Sequence, residues 1–139
     1  MTRFACGKGF GVCLPWYPGT HYWQDGHEMF RLFVSDLLQN LCGVRSVGTN
    51  LSPMVEVTHG RKDGFEVVHF VNGSGHFGNS FFDPCVLSEQ SVTIPWAHES
   101  VRCENLDEPG NVAYELNNGT LKLTIPKLGF HACVVIREA

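Results

Sequence analysis

The sequence has no long apolar run. No stretch of about 18 consecutive apolar residues occurs in the 139-residue chain, so we expect no membrane-spanning helix and no membrane partner. The first residues, MTRFACGKGFGV, contain no continuous apolar segment before a small-residue cleavage site. We therefore expect no signal peptide and predict a cytoplasmic protein.

The chain also lacks an excess of positive charge. It has 10 Lys and Arg residues against 14 Asp and Glu residues, which gives a net charge of -4. A nucleic-acid-binding domain normally carries a basic face, so we expect no nucleic-acid partner. Hydrophobic residues make up 43% and charged residues 17% of the chain, and these proportions indicate a folded globular protein.

Cysteine motifs for metal or redox chemistry are missing as well. The six cysteines are widely spaced, and no two of them form a C-x-x-C pair. A zinc ribbon or a thioredoxin-like site is therefore excluded by spacing. Without an export signal, we expect all six to be reduced, structural thiols.

Residues 1–48 have the pattern of a strand, a loop and a helix. GFGVCLPW places Phe10, Val12 and Leu14 on one face of a short strand, which the following prolines end. Asp25, with Glu28 three residues later, predicts the start of a helix. An apolar stripe then follows at helical spacing, formed by Phe30, Phe33, Val34, Leu37, Leu38 and Leu41. One strand and one helix do not form a domain, so this segment either packs on the rest of the chain or is the remnant of a larger α/β domain.

Residues 49–139 change to the two-residue period of β-strands. About seven short strands are predicted, within VEV, FEVVHFVN, SVTIP, SVRCENL, VAYEL, LKLTI and FHACVVI. Asp63-Gly64 and Asn117-Asn118-Gly119 are hairpin turn signals. The fold class expected is therefore mostly β, an antiparallel β-sandwich preceded by the strand–loop–helix segment.

The aromatic residues between the strand and the helix are the first candidate site. Sugars present faces of C–H groups that stack on flat rings, and tyrosine and tryptophan combine an apolar ring with a polar group. The alternative is that these rings fill the junction between the helix and the sheet. The candidate ligand-binding residues are Trp16, Tyr17, His21, Tyr22 and Trp23.

Histidines in the β-rich part suggest a second candidate. His59, His69 and His76 would form a metal site if folding brought them together. Strand histidines more often satisfy a hydrogen bond, and we interpret His69 and Asn72 as structural residues at the end of a buried strand. The acidic residues Asp25, Glu28, Asp63, Glu66 and Asp83 form no pair suited to glycoside cleavage, so we expect no catalytic residue and no cofactor.

Glycine and aromatic landmarks run through most of the chain in a fixed order. The first set is Gly7, Lys8, Gly9, Val12, Pro15, Trp16, Gly19, Tyr22, Gly26 and His27. The second set is Val55, Val57, Gly64, Val68, His69, Val71, Asn72 and Gly75. This pattern resembles the end of the middle α/β trimerisation domain and the start of the C-terminal β-domain of bacterial β-galactosidase-like glycoside hydrolases.

The resemblance implies architecture rather than catalysis. In that family the catalytic carboxylates lie on a (β/α)8 barrel, and no part of this chain matches the barrel. It implies a remnant of the α/β domain over residues 1–48 and the β-domain over 49–139, in a non-catalytic, structural region of a glycoside hydrolase. We further expect a homo-oligomer with residues 8–38 at the contact. The alternatives are a carbohydrate-binding module and, less strongly indicated, a small metal enzyme.

Overall fold

The structure, a computed structural model, describes residues 1–44 and 47–139. The chain divides into two compact units, Met1–Ser46 and Val47–Ala139. The fold is mostly β, as predicted, with an antiparallel β-sandwich in the second unit. No helix in the described part of the chain is both long enough and apolar enough to span a membrane.

The first unit begins with a hairpin, where the sequence predicts a single strand. Strands β1 (Thr2–Cys6) and β2 (Gly9–Cys13) pair antiparallel, with Thr2 opposite Cys13 and Cys6 opposite Gly9. The two-residue turn between them contains Gly7, whose φ is +57°. The predicted strand therefore has a hydrogen-bonded neighbour on one side, supplied by a segment in which the sequence pattern shows no strand.

Two helices follow, and the predicted aromatic loop is in large part the first of them. Helix α1 spans Pro18–Asp25 and helix α2 spans Glu28–Asp36, continuing into a π-helical turn at Leu37–Leu41. Pro18 suits the first turn of α1 because proline has a helical φ and its missing N–H is not needed there. Gly26, at φ +65°, ends α1 by donating its N–H to the Tyr22 carbonyl.

The predicted helix start at Asp25 is therefore wrong. Asp25 is the last residue of α1, and the residue that precedes α2 is His27, whose side chain makes no capping hydrogen bond. Glu28 instead accepts hydrogen bonds from the guanidinium of Arg31, one turn later. That bond lowers the pKa of the Glu28 carboxyl below its usual value.

The second unit contains two four-stranded antiparallel sheets within residues 47–139. The first sheet has the order β10-β11-β8-β3, and the second has the order β4-β5-β12-β9. A short hairpin, β6-β7, is inserted between β5 and β8. The bounds are β3 Gly48–Asn50, β4 Val55–Lys62, β5 Phe65–Asn72, β6 His76–Phe77, β7 Ser80–Phe81, β8 Leu87–Pro95, β9 Arg102–Asn105, β10 Ala113–Asn117, β11 Thr120–Leu128 and β12 His131–Arg137.

The core lies between these two sheets, because the alternation of each strand buries one face. In β11 the side chains of Leu121, Leu123 and Ile125 are fully buried while the residues between them are not. In β5 the buried residues are Glu66, Val68, Phe70 and Asn72. The strand is central, between β4 and β12, as the sequence predicts. Two of these four buried residues, Glu66 and Asn72, are polar, and the hydrophobicity of the sequence does not indicate that they are buried.

Candidate functional site

The aromatic residues of the first unit lie in and just before α1. Trp16 packs on Phe30 and Phe33 of α2, with ring centroids 5.8 and 5.3 Å apart. His21 stacks on Phe30 at 5.6 Å, and its Nδ1 lies 3.5 Å from Oδ2 of Asp25. These two rings therefore serve packing against α2.

The other rings face solvent without forming one platform. Trp23 is 90% exposed and Tyr17 is 78% exposed, whereas Tyr22 is 44% exposed. Successive residues of an α-helix point about 100° apart, so His21, Tyr22 and Trp23 lie on three different sides of α1. The five candidate residues do not make a single sugar-stacking surface, although Trp23 and Tyr17 each offer an accessible ring.

The three candidate histidines lie in different environments. His59 Nε2 lies 2.6 Å from Oε2 of Glu66, and His69 Nδ1 lies 3.1 Å from Nε2 of His131. His76 contacts the Gly78 carbonyl at 2.8 Å and stacks on Phe81. Within residues 1–44 and 47–139, no group of three or more His, Cys, Asp or Glu side chains is placed to hold a metal ion. The predicted metal site built on these three histidines does not form.

His69 is one end of a chain of side-chain contacts that runs from His69 through His131 to Asp107. His131 Nδ1 lies 2.8 Å from Oδ2 of Asp107, and its other ring nitrogen contacts His69. If Nδ1–H of a neutral His131 donates a hydrogen bond to the Asp107 carboxylate, Nε2 of His131 accepts the hydrogen bond from His69 Nδ1–H. This arrangement orients both rings. Sequence reasoning missed His131 and Asp107, because only the pairing of β5 with β12 and the path of the chain after β9 bring them together.

Asn72 has the structural role that the sequence predicts. Its Nδ2 donates to the carbonyls of Cys85 and Gly129, both at 2.8 Å. Its Oδ1 accepts the Ser74 N–H at 3.1 Å. The side chain is 1% exposed, and it ties the end of β5 to two loops that are distant in the sequence.

A cavity at one end of the sandwich is lined by charged and aromatic residues, and no motif in the sequence indicates it. We call it the sandwich-end cavity. Its volume is about 270 Å³. Both sheets contribute, through the β4–β5 turn, the segment after β8 and the residue after β12. The lining residues are Arg61, Lys62, Gly64, Phe65, Glu66, Trp96, Ala97, His98 and Glu138.

Glu66 anchors the polar side of this cavity. Oε1 accepts hydrogen bonds from Nε and Nη2 of Arg61, at 2.7 and 2.6 Å, and Oε2 contacts His59. A buried carboxylate without such partners would be strongly destabilising. Because both oxygens contact neighbouring side chains, the Glu66 carboxyl is held in a fixed position. Across the cavity, His98 Nδ1 lies 3.1 Å from Oε2 of Glu138.

The tryptophan in the cavity wall is held rigidly. Trp96 is 4% exposed, and its indole Nε1 donates to the Ser100 carbonyl at 3.0 Å. Its ring centroid lies 5.1 Å from that of His98. Its backbone N–H donates to the Gly119 carbonyl, which couples this wall to the β10–β11 turn.

Comparison with known proteins identifies a structural relative. No family model and no curated sequence matches the chain. Among solved structures, the alpha-L-fucosidase isoenzyme 2 from Paenibacillus thiaminolyticus is similar with a TM-score of 0.71 and 18% sequence identity. The similarity covers 88% of this chain and 20% of the fucosidase chain. The chain therefore shares the fold of about a fifth of that protein.

Proposed function

We propose that this chain is a non-catalytic accessory region of a glycoside hydrolase. The observation that carries the proposal is the fold similarity, which extends over 88% of the chain and corresponds to 20% of an enzyme named as an alpha-L-fucosidase. The landmark residues that resemble β-galactosidase-like hydrolases support the same class of parent enzyme. Assignment to the end of a trimerisation domain and the following β-domain is part of this proposal.

The chemistry of the acidic residues agrees with a non-catalytic role. Glycoside cleavage uses two carboxyl groups, one of which must donate a proton. Glu66 is held by Arg61 and His59, and Glu28 is held by Arg31. Both carboxyl groups are therefore already held in contacts with neighbouring side chains. The contribution of the chain would be to support the folding and assembly of the catalytic part.

The proposal is tested by the DNA that flanks the coding region and by co-expression. We expect an adjacent reading frame for a (β/α)8 barrel, and we expect this chain to raise the soluble yield of active barrel protein several-fold. The purified chain alone should not hydrolyse aryl glycosides. A flanking region without such a frame would contradict the proposal, as would repurified turnover that is lost in Glu138→Gln.

A carbohydrate-binding module that uses the first unit is the second candidate. The observation that favours it is the 90% exposure of Trp23, an unusually open position for a large ring. Affinity electrophoresis in gels containing polysaccharides tests it. Retardation that is lost in Trp23→Ala and kept in Met29→Ala would favour the module. Met29 is the control because it is an apolar residue of α2 that is 79% exposed.

A further inference from the structure

We propose that the sandwich-end cavity binds a neutral, hydroxyl-rich ligand of the size of one sugar unit. The chemical class follows from the residues that line the cavity. The narrower assignment to a saccharide rests on the proposed function, because polyols of the same size present similar groups. The site is separate from the aromatic residues of the first unit.

The position of the charged residues within the sandwich is the first observation. The inward side chains of β5 are Glu66, Val68, Phe70 and Asn72. At the end of β5 where Glu66 lies, the inner face of the sheet carries a charged side chain and borders the sandwich-end cavity. The Glu66 side chain is 10% exposed, whereas that of Arg61 is 69% exposed. A buried carboxylate that holds an accessible guanidinium beside a cavity suits recognition of a ligand.

The balance of charge in the lining is the second observation. Two cations, Arg61 and Lys62, face two carboxylates, Glu66 and Glu138. An anion would meet the carboxylates, and a cation would meet the guanidinium and the ammonium. A hydroxyl group both donates and accepts a hydrogen bond, so it pairs with either kind of side chain. Arg61 has further N–H groups beyond the two nitrogens that contact Glu66.

The apolar side of the cavity and its size give the third observation. Phe65 and Trp96 line the cavity beside the charged groups. Phe65 is only partly buried, and the C–H face of a sugar ring packs on such aromatic surface. The indole is already fixed by its bond to Ser100, so binding need not order it. The volume of about 270 Å³ lies just below the range of roughly 300–1,000 Å³ typical of pockets for drug-sized ligands. One sugar ring is therefore the matching unit.

The test is a titration of the full-length 15N-labelled chain followed by amide chemical shifts. The probes are D-glucose, D-galactose and L-fucose, with D-glucuronate and D-glucosamine as charged analogues. We expect at least one neutral sugar to cause saturable shifts at the amides of Lys62, Gly64, Ala97 and His98. We expect both charged analogues to bind more weakly than the corresponding neutral sugar.

Variants of exposed lining residues identify the binding groups without disturbing the core. His98→Ala and Glu138→Gln should each weaken the affinity about tenfold, the effect of losing roughly one good hydrogen bond. Glu115→Gln, the same exchange at an exposed position of β10, should leave the affinity unchanged. Three results would overturn the inference: no saturable shift with any neutral sugar, shifts centred on residues 16–23, or tighter binding of a charged analogue.

Failure of this inference is distinguishable from failure of the proposed function. Sugar binding is measured on the isolated chain, whereas the accessory role is measured by its effect on a separate catalytic protein. A chain that supports the catalytic protein and shows no shift at the cavity would refute the cavity alone. A chain that binds sugar and has no catalytic partner would refute the accessory role alone.

Discussion

Asn72, the last residue of β5, connects segments that are distant in the sequence. Replacing it with alanine leaves the carbonyls of Cys85 and Gly129 and the Ser74 N–H without their partner. We expect Asn72→Ala to lower the free energy of unfolding by about 3 kcal/mol. Urea denaturation followed by circular dichroism measures it.

The matched control for this substitution is Asn40→Ala. Asn40 is exposed, and its side-chain Nδ2 donates a hydrogen bond to Oδ1 of Asp36, one turn earlier. Its replacement should therefore change the free energy of unfolding by less than about 0.5 kcal/mol. Equal effects of the two substitutions would show that the Asn72 hydrogen bonds contribute nothing beyond those of a surface asparagine.

The six cysteines, all within the described ranges, have free thiols in unlike environments. Burial raises the pKa of the Cys103 thiol to about 12. Burial, and then the nearby Asp107 carboxylate, also raises the pKa of Cys133. The thiolate is the reactive form, so at pH 8 the reactive fraction of Cys103 is roughly a thousandfold below that of an ordinary thiol.

We therefore expect slow alkylation of Cys103 and Cys133 and fast alkylation of the exposed Cys6, Cys13, Cys42 and Cys85. A pulse of iodoacetamide at pH 8 followed by peptide mass spectrometry measures each rate. Because the thiolate of Cys103 predominates only above its raised pKa of about 12, its alkylation rate should still be rising at pH 11. Equal rates for Cys103 and Cys85 would contradict the burial.

At the scale of elements, the β10–β11 hairpin follows the turn chemistry of its sequence. Asn118 and Gly119 occupy the two central turn positions with φ of +47° and +76°, the pattern of a type I′ turn. A Cβ at Gly119 would meet only an ordinary contact, 3.8 Å from the Trp96 carbonyl. The cost of Gly119→Ala is therefore conformational, and we expect about 1 kcal/mol of destabilisation.

Gly60→Ala is the control for the hairpin. Gly60 lies in β4, where a Cβ would meet no atom within 4 Å and φ is not positive. Alanine there should be neutral or stabilising by up to about 1 kcal/mol, because it restricts the unfolded chain. Thermal melting of both variants tests the pair, and a stabilising Gly119→Ala would refute the assigned turn.

In the first unit, the apolar pattern of the sequence does not correspond to buried side chains. The apolar stripe of α2 and the π-helical turn matches the predicted residues, yet no residue in these two fully described elements is buried. Val34 and Leu38 are 38% and 42% exposed. The stripe is therefore only partly covered in the folded chain. Of residues 1–44, only Pro18 is buried.

At the scale of the molecule, the exposed stripe supports the prediction of self-association. The buried hydrophobic core consists of residues between Val55 and Ile136, so the first unit has apolar surface without a core of its own. We expect light scattering at high micromolar concentration to give a mass of at least twice the 15.5 kDa of one chain. A monomer at that concentration would contradict this prediction.

Leu37→Asp tests whether the apolar stripe forms the contact between chains. The substitution puts a charge in the stripe, so we expect it to shift the chain to monomer while the unfolding of the sandwich stays unchanged. Leu32→Asp is the matched control, since Leu32 lies off the stripe and is 52% exposed, and it should leave the association intact. Loss of association in both variants would show that added charge alone is responsible.

Local chemistry was enough to determine much of this protein. Alternation in β5 and β11, the Asn118-Gly119 turn and the hydrogen bond between Asn72 and the Ser74 N–H depend on residues close in the sequence. Each of them is set by strand geometry or by the preferred φ of a few residues. The β-sandwich class follows from these signals.

Only the tertiary structure decided which distant side chains meet. His69 and His131 are 62 residues apart, and strand register brings them into contact. The sandwich-end cavity joins a hairpin turn, the segment after β8 and the residue after β12. Its central residue, Glu66, resembles a surface carboxylate in the sequence. Pairing between strands is non-local, so its hydrogen bonds and burial are fixed only when the sheets assemble.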